Sequence, residues 1–526
     1  MRFLALFVAL ALLLSGCAFP GGNFRWNQTV PYSEMQYTQP DLEAMEHKLK
    51  EVIAFSENSP DASALMQAVY SFYDIYDSYL TDWYLADLHY SADLTDSYWE
   101  AEYNFCSENV PQLDAALERL YMALAVCPLR EKLEKDYFGE GFFDAYEGEA
   151  TLDETYTALL EEEARLEAEY YALSDEAIAL GIGTEAYYEA YTAPMAALLA
   201  ELVAVRQEMA AYLGYDSYAQ LAYDSSYYRS YTPEDAQTYL LSLRDALLEL
   251  YIELNGSDIW DFAGAYSDSQ ETFSYLKEAA ANMGGTVKHA FDLLESAGLY
   301  DIGYGENKYD SSFSLYLWRY GEPFIFVNPW LDQTDKLTLA HEFGHFANDY
   351  VCGGSYAGTD VAEVHSQAME YLSLCYTENS KDLARYKLGD SLCTFLECGA
   401  YALFEYRLYA LSAEELTPEN IAALYQSTCA EFGFESWDWD SRDFITVVHF
   451  FTEPMYMVSY AVSNDVALQF YQMEQETPGS GLALYENILQ SEDSDIIAFA
   501  EYYGLESPFA EGRPAALAET FGNITE

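Results

Sequence analysis

The sequence predicts a mainly α-helical protein with one small antiparallel β element. Apolar residues recur at helical spacing along most of the 526-residue chain. Hydrophobic residues make up 51% of the chain and aromatic residues 17%, which is enough apolar surface for a large core. The segment 312–328 departs from the helical pattern. The length allows about three domains, or one large helical body built as two lobes.

The helices are predicted from apolar periodicity and from residues that cap their first turns. Periodicity indicates three helices near the start of the chain, over residues 41–56, 62–90 and 111–125. Residues 151–154 have the form of a capping box and open an acidic segment that runs to about Leu173. Thr232 and Thr417 are each followed by proline and glutamate. This favours a helix start, because the hydroxyl caps free N–H groups and the acid faces the positive end of the helix dipole.

The β element is predicted from a change of pattern. Residues 312–319 (SFSLYLWR) are rich in aromatic side chains and partly alternate, and residues 323–328 (PFIFVN) follow after Gly321. Such a pattern is typical of two short strands joined by a turn. The second strand leads directly into the segment that carries the most informative motif of the chain.

Acidic residues dominate the charge of the protein. Asp and Glu total 89 against 23 Lys and Arg, for a formal net charge of −66. A surface this negative repels phosphate backbones and anionic lipid headgroups, so we expect no nucleic-acid partner. The acid is interpreted as a solvated coat that maintains solubility, and the alternative is that it steers cationic peptides.

The amino terminus is interpreted as a targeting signal. Arg2 supplies a positive charge, residues 3–14 are apolar but too short to span a bilayer, and residues 14–17 (Leu-Ser-Gly-Cys) have the form of a lipobox. We therefore expect residues 1–16 to be a lipoprotein signal peptide, and residues 17–40 to be a lipidated Cys17 with its tether. The alternative is an ordinary signal peptide that contains a cysteine. A lipidated protein would lie outside the cytoplasm, anchored to a bacterial cell membrane.

Residues 341–345 (His-Glu-Phe-Gly-His) form the motif H-E-x-x-H. On a helix, residues four apart share one face, so His341 and His345 can bind one metal ion. Glu342 lies one step round the helix, beside the ion, where a carboxylate can deprotonate water as the catalytic base. The sequence therefore predicts a catalytic zinc site. The other histidines outside this motif, such as His47, His89 and His289, are interpreted as ordinary core or surface residues.

A third zinc ligand is expected in the segment 360–370. Glu363 and Glu370 are seven residues apart, so on a helix they share a face but lie about 10 Å apart and cannot both bind one ion. Glu363 is the predicted ligand, and Glu370 is expected to support a histidine from behind. His365 would point away from Glu363.

These residues resemble the core of the M3 peptidase family, most closely its oligoendopeptidase F branch. Residues 338–345 (TLAHEFGH), preceded by the strand at 323–328, carry the resemblance. In that family the third zinc ligand belongs to an E-x-x-S-x-x-x-E segment, which matches Glu363, Ser366 and Glu370. The resemblance implies a two-lobed helical metallopeptidase with a thermolysin-like HExxH helix, a deep channel and a small sheet on one wall. Residues 41–225 would form the N-terminal helical lobe, and residues 226–526 the catalytic region.

The resemblance also implies residues that bind substrate. His449, Tyr456 and Tyr460 match a family segment whose histidine and tyrosines bind the substrate carbonyl and the transition state. Which of the two tyrosines contacts the oxyanion stays open. An extended peptide is expected to pair with the strand at 323–328, which assigns three residues to substrate binding: Phe324, Phe326 and Asn328.

The expected function is therefore that of a zinc-dependent metalloendopeptidase with one Zn²⁺ ion, which cleaves oligopeptides. Its expected partners are oligopeptide substrates, with membrane contact through the lipid anchor only. Two alternatives remain open: a zinc carboxypeptidase of similar helical fold, and a lipoprotein that binds peptides without cleaving them.

Overall fold

The structure, a computed structural model, describes residues 29–522 apart from 147–153, 179, 355–356, 438 and 492. This part of the chain is mainly helical, with one three-stranded sheet. The α-helices are α1 (Leu42–Ser56), α2 (Ala62–Ala92), α3 (Ser97–Ala125), α4 (Arg130–Leu133), α5 (Glu154–Ile178), α6 (Glu185–Leu213), α7 (Tyr218–Ser225), α8 (Pro233–Leu254), α9 (Ile259–Ala263), α10 (Ser269–Met283), α11 (Gly285–Ala297), α12 (Asp335–Cys352), α13 (Thr359–Cys375), α14 (Lys381–Leu408), α15 (Pro418–Glu431), α16 (His449–Thr452), α17 (Met457–Glu476), α18 (Ser480–Ile488), α19 (Ile496–Tyr503) and α20 (Arg513–Phe521).

Side-chain caps fix several of the predicted helix starts. Thr232 and Asp235 form a reciprocal capping box at the start of α8, and Thr417 accepts a hydrogen bond from the N–H of Asn420 at the start of α15. Helix α3 begins well before the predicted residue 111, because the side chain of Asp96 accepts hydrogen bonds from the first free N–H groups. Helix α5 follows the predicted capping box, whose first three residues lie outside the described residues.

The sheet consists of β1 (Tyr300–Asp301), β2 (Ser312–Leu317) and β3 (Glu322–Val327), in the order β1-β3-β2. The antiparallel pair of β2 and β3 confirms the predicted hairpin, with Phe313 opposite Phe326. Strand β1 is parallel to β3, so the sheet is mixed and not purely antiparallel. Two residues are too few for a periodic pattern, which is why the sequence did not indicate β1.

One hydrophobic core extends from the N-terminal helices to α20. Residues 29–40, part of the expected tether, lie against this body: the Tyr32 ring packs 4.5 Å from the ring of Phe324, and the N–H of Thr38 donates to Asp82. Cys17 and the expected signal peptide at 1–16 lie outside the described residues. None of the helices that the structure describes is long and apolar enough to cross a membrane.

Candidate active site

The site forms where α12 crosses α13. His341 and His345 project from one face of α12, with ring centroids 5.1 Å apart and ring planes at 78°. Glu363 projects from α13, and its Oε2 lies 3.5 Å from Nε2 of His341. One possible ligand atom from each of these three residues lies within 4.8 Å of the others. The structure thus brings the three predicted metal ligands together.

Gly344 allows the two helices to approach this closely. A Cβ atom at Gly344 would lie 2.5 Å from Cα of Ser366 and 2.6 Å from the carbonyl oxygen of His365. Both contacts are with the main chain of α13, which cannot rotate away as a side chain can. The motif H-E-x-x-H does not specify glycine here, and only the neighbouring helix reveals the need for it.

His341 is held from behind by a buried ion pair. Its Nδ1–H donates to Oε1 of Glu370 at 2.8 Å, and the other oxygen of Glu370 accepts from Lys387 at 2.6 Å. Burial disfavours a charged imidazole, but the hydrogen bond that the ring donates to Glu370 and the charge of Glu363 raise the pKa of His341 to about 9. Lys387 lies on α14 and carries no local sequence signal. The contact fixes the ring so that Nε2 faces Glu363.

These residues fit a zinc ion by their chemistry. Two imidazoles and one carboxylate are a donor set of catalytic zinc sites, which leave a further position open. Burial and the neighbouring His341 lower the pKa of His345 well below its usual range, so its ring is neutral and able to bind a metal. His341 must release the proton on Nε2 to bind a metal, and the carboxylates of Glu363 and Glu370 that favour a proton there also favour a metal cation in its place.

Glu342 is buried beside the three residues, at 7% exposure. Burial raises its pKa to about 7, with further contributions from Glu363 and Glu370, while His341 opposes the shift. A carboxyl group with a pKa near neutrality can both accept and release a proton at the pH of most cells. This is the property that a general base needs.

The aromatic segment after α16 lies against Glu363. The hydroxyl of Tyr456 donates to Oε1 of Glu363 at 2.8 Å, and Ser366 donates to Oε2 at 3.2 Å. His449, Tyr456 and Tyr460 form one cluster, with ring centroids between 5.0 and 5.9 Å apart. Burial raises the pKa of both tyrosines well above the usual range, so their hydroxyls remain protonated. Of these three aromatic residues, Tyr456 is the one that the structure shows hydrogen-bonded to a predicted ligand.

The main chain between α16 and α17 is clamped by buried side chains. Met455 has a φ of +69°, a conformation that non-glycine residues rarely adopt. Such a conformation persists where surrounding contacts over-determine it. The contacts are hydrogen bonds from Arg206 to the carbonyl of Phe451 (2.7 Å), from Tyr227 to that of Pro454 (2.9 Å), from Arg229 to that of Met455 (2.9 Å), and from the Met455 N–H to Glu405 (2.8 Å).

Arg229 also ties this segment to α13. Its guanidinium pairs with Asp360 at 3.2 Å and donates to Ser459 at 2.7 Å. The ring of Tyr227 lies 4.1 Å from the guanidinium carbon. Asp360 lies one turn before Glu363 on α13. One arginine therefore joins the helix of the predicted third ligand to the segment that carries Tyr456.

Replacing Arg229 by methionine is expected to lower the free energy of unfolding by about 3–5 kcal/mol, because it leaves the buried carboxylate of Asp360 without its cation. Denaturant unfolding followed by tryptophan fluorescence measures the change. The matched control is Arg165→Met, which removes an exposed arginine from its pairs with Glu162 and Glu169 and is expected to cost no more than about 1 kcal/mol. An equal loss of unfolding free energy in the two variants would contradict a special role of Arg229 in holding this segment.

Strand β3 does not present a free edge to a substrate, which corrects the sequence-based expectation. Phe324 and Phe326 are fully buried, and at Ile325 and Phe326 the strand pairs with β1 on one side and with β2 on the other. Asn328 is also buried, and its side chain bonds the backbone of the loop at Gly305. Where β3 is paired on both sides, its main chain has no free N–H and C=O groups to offer a peptide, and the burial of Phe324 and Asn328 assigns these side chains to the support of the fold.

The fold and the site together define a class: a mainly helical protein with an H-E-x-x-H helix, a facing carboxylate and a candidate metal site. A family model described as the peptidase M3 N-terminal domain matches residues 32–152. Among curated proteins, no sequence matches the chain.

Solved structures with the same fold extend this likeness over most of the chain. A Pz peptidase A with an inhibitor has a TM-score of 0.80 at 18% identity, covering 94% of this chain and 98% of that one. A protein assigned as an oligoendopeptidase F has a TM-score of 0.80 at 20% identity, with the same coverage of 94% and 98%. Oligoendopeptidase F from Enterococcus faecium has a TM-score of 0.55 at 14% identity, covering 92% and 97%. The predicted resemblance to M3 peptidases of the oligoendopeptidase F type is thereby confirmed, and with it the helical fold.

Proposed function

We propose that the protein is a zinc-dependent metalloendopeptidase that hydrolyses oligopeptides. The observation that carries the proposal is the convergence of His341, His345 and Glu363 at one point, with the buried carboxyl of Glu342 beside them. The likeness of fold to peptidases supports the substrate class.

The side chains have distinct roles in this proposal. His341, His345 and Glu363 hold the ion, and Glu370 orients His341 through Nδ1. When bound, zinc supplies Lewis acidity that activates water and polarises the scissile carbonyl. Glu342 accepts a proton as water attacks the carbonyl carbon and then delivers it to the leaving amine.

The aromatic cluster supplies hydrogen-bond donors for the developing oxyanion. Tyr456 and Tyr460 keep their protons because burial raises their pKa, so each hydroxyl is a hydrogen-bond donor, and a free one can stabilise the carbonyl oxygen as its negative charge grows. Burial lowers the pKa of His449 to about 4, so its ring is neutral and can donate from one nitrogen. In the structure Tyr456 is engaged with Glu363, which leaves Tyr460 and His449 as the donors we assign to the substrate.

Metal analysis combined with peptide cleavage tests the proposal. The purified protein is expected to contain one zinc ion per chain and to cut an internally quenched peptide blocked at both ends, with activity lost on chelation and restored by zinc. His345→Ala is expected to lower the metal affinity by about 100-fold or more, whereas His289→Ala, at an exposed position on α11, leaves it unchanged.

The blocked peptide also separates the alternatives. Because a carboxypeptidase needs a free carboxyl terminus, cleavage of only the unblocked form would indicate that class. Absence of stoichiometric metal together with absence of turnover would reject the enzyme and leave a protein that binds peptides.

The lipid anchor and the extracytoplasmic location stay part of the proposal. They depend on the lipobox at residues 14–17 and on Cys17. Mass spectrometry of the mature amino terminus tests them, since an unmodified Cys17 would exclude the anchor.

A further inference from the structure

A small cavity opens beside His341, on the side of the ring that faces Glu370. Its volume is about 240 Å³, and three helices form its walls. Thr334, Leu337, Thr338 and His341 come from one face of α12 and the turn before it, Glu370 from α13, and Tyr386 and Asp390 from α14. Because His341 is a predicted metal ligand, a side chain placed in this cavity would belong to a residue close to the scissile bond.

The two carboxylates that line the cavity, Glu370 and Asp390, differ in how fully they are engaged. Lys387 lies 2.6 Å from Glu370, which also accepts from His341, so the positive charge of Lys387 is engaged there. Asp390 is 3.5 Å from Lys387, and its side chain is 39% exposed. Glu370 is thus engaged on both of its oxygens, whereas part of the Asp390 side chain is exposed, where a ligand can reach it.

The other walls suit a long side chain with a charged end. Leu337 offers an apolar surface against which methylene groups can pack. The hydroxyls of Thr334, Thr338 and Tyr386 provide further polar partners around the cavity. An ammonium or guanidinium group has several N–H donors to satisfy, and carboxylate and hydroxyl oxygens are suitable acceptors.

We propose that this cavity is a substrate subsite that accepts a lysine or arginine side chain next to the scissile bond, with Asp390 as its charge partner. The proposal rests on the proposed peptidase function and adds the substrate class. Asp390 is then a specificity-determining residue, distinct from the general acidic coat of the protein.

The test compares internally quenched peptides that carry Lys, Leu or Glu at each of the positions flanking the cleaved bond. In the wild-type protein, kcat/KM is expected to be highest for Lys at one such position. Asp390→Asn is expected to reduce the Lys-to-Leu ratio of kcat/KM by about 10- to 100-fold, the effect of removing one charged hydrogen-bond partner. Asp390→Lys is expected to favour the Glu peptide.

The matched control is Asp382→Asn, at an exposed position on the same helix, α14. It changes the net charge by the same amount, so it measures long-range steering alone. The inference is overturned if the wild-type protein shows no preference for Lys, or if both Asn variants change the ratio equally.

A binding measurement separates this inference from the proposed function. Fluorescence anisotropy with a peptide that contains Lys beside a reduced, uncleavable amide bond reports occupancy of the subsite without turnover. Absence of cleavage with binding that depends on Asp390 would reject the peptidase function and support the subsite. Cleavage together with binding that does not depend on Asp390 would support the peptidase function and reject the subsite.

Discussion

Glu342→Gln is expected to reduce kcat for peptide hydrolysis by about 10²- to 10⁴-fold, the contribution typical of a positioned general base. Glutamine has nearly the same shape as glutamate, so the buried position at 7% exposure is preserved. An amide cannot accept the proton of the attacking water. Because Glu342 is not among the three predicted ligands, the zinc content should stay at one ion per chain.

The measurement is steady-state hydrolysis of the blocked peptide, with metal content determined on the same samples. Glu378→Gln is the control, since Glu378 is exposed and its substitution makes the same change in charge. Full activity in Glu342→Gln would remove the catalytic carboxylate from the proposal. A loss of activity that parallels a loss of zinc would instead indicate that Glu342 holds the ion.

Gly344→Ala is expected to disturb both stability and the metal site. The added Cβ would lie 2.5 Å from Cα of Ser366, so α12 and α13 must separate. Overpacking of this kind costs about 1–3 kcal/mol of unfolding free energy or more. Glu363 moves away from the two histidines in the process, and a misplacement of about 1 Å at a catalytic site can cost about 100-fold in rate.

The control for this variant is a glycine in the middle of another helix. At Gly399 in α14 a Cβ would meet a ring atom of Phe432 at 3.2 Å, and a side chain can yield where a main chain cannot. Gly399→Ala is therefore expected to be close to neutral, since alanine also favours a helix by about 1 kcal/mol over glycine. Thermal unfolding and zinc content are measured for both variants. Similar behaviour of the two would show that the close crossing of α12 and α13 is not required.

Local patterns predicted much of the secondary structure. Apolar periodicity located α1 and α2, and the β2–β3 hairpin followed from an aromatic, partly alternating segment. These features depend on residues a few positions apart, so one segment of sequence contains the whole signal. The start of α3 was missed because a single aspartate cap sets it, and β1 was missed because it exists only through its pairing with β3.

The sequence alone determined the residues at the centre of the site. The spacing of His341 and His345 places both rings on one face of a helix, whatever surrounds that helix. It also directed attention to Glu363 and Glu370, because their spacing allows only one of them to share an ion with the histidines.

The tertiary structure decided how these residues are supported. The roles of three residues depend on contacts with elements that are distant in sequence and adjacent in space: Lys387, Arg229 and Gly344. The place of β3 in the sheet also depends on distant contacts. Its sequence suggested an edge strand that could pair with a substrate, but in the structure β1 and β2 pair with its two sides. Helical spacing fixes which residues face the same way, whereas packing of elements distant in the chain fixes what each face meets.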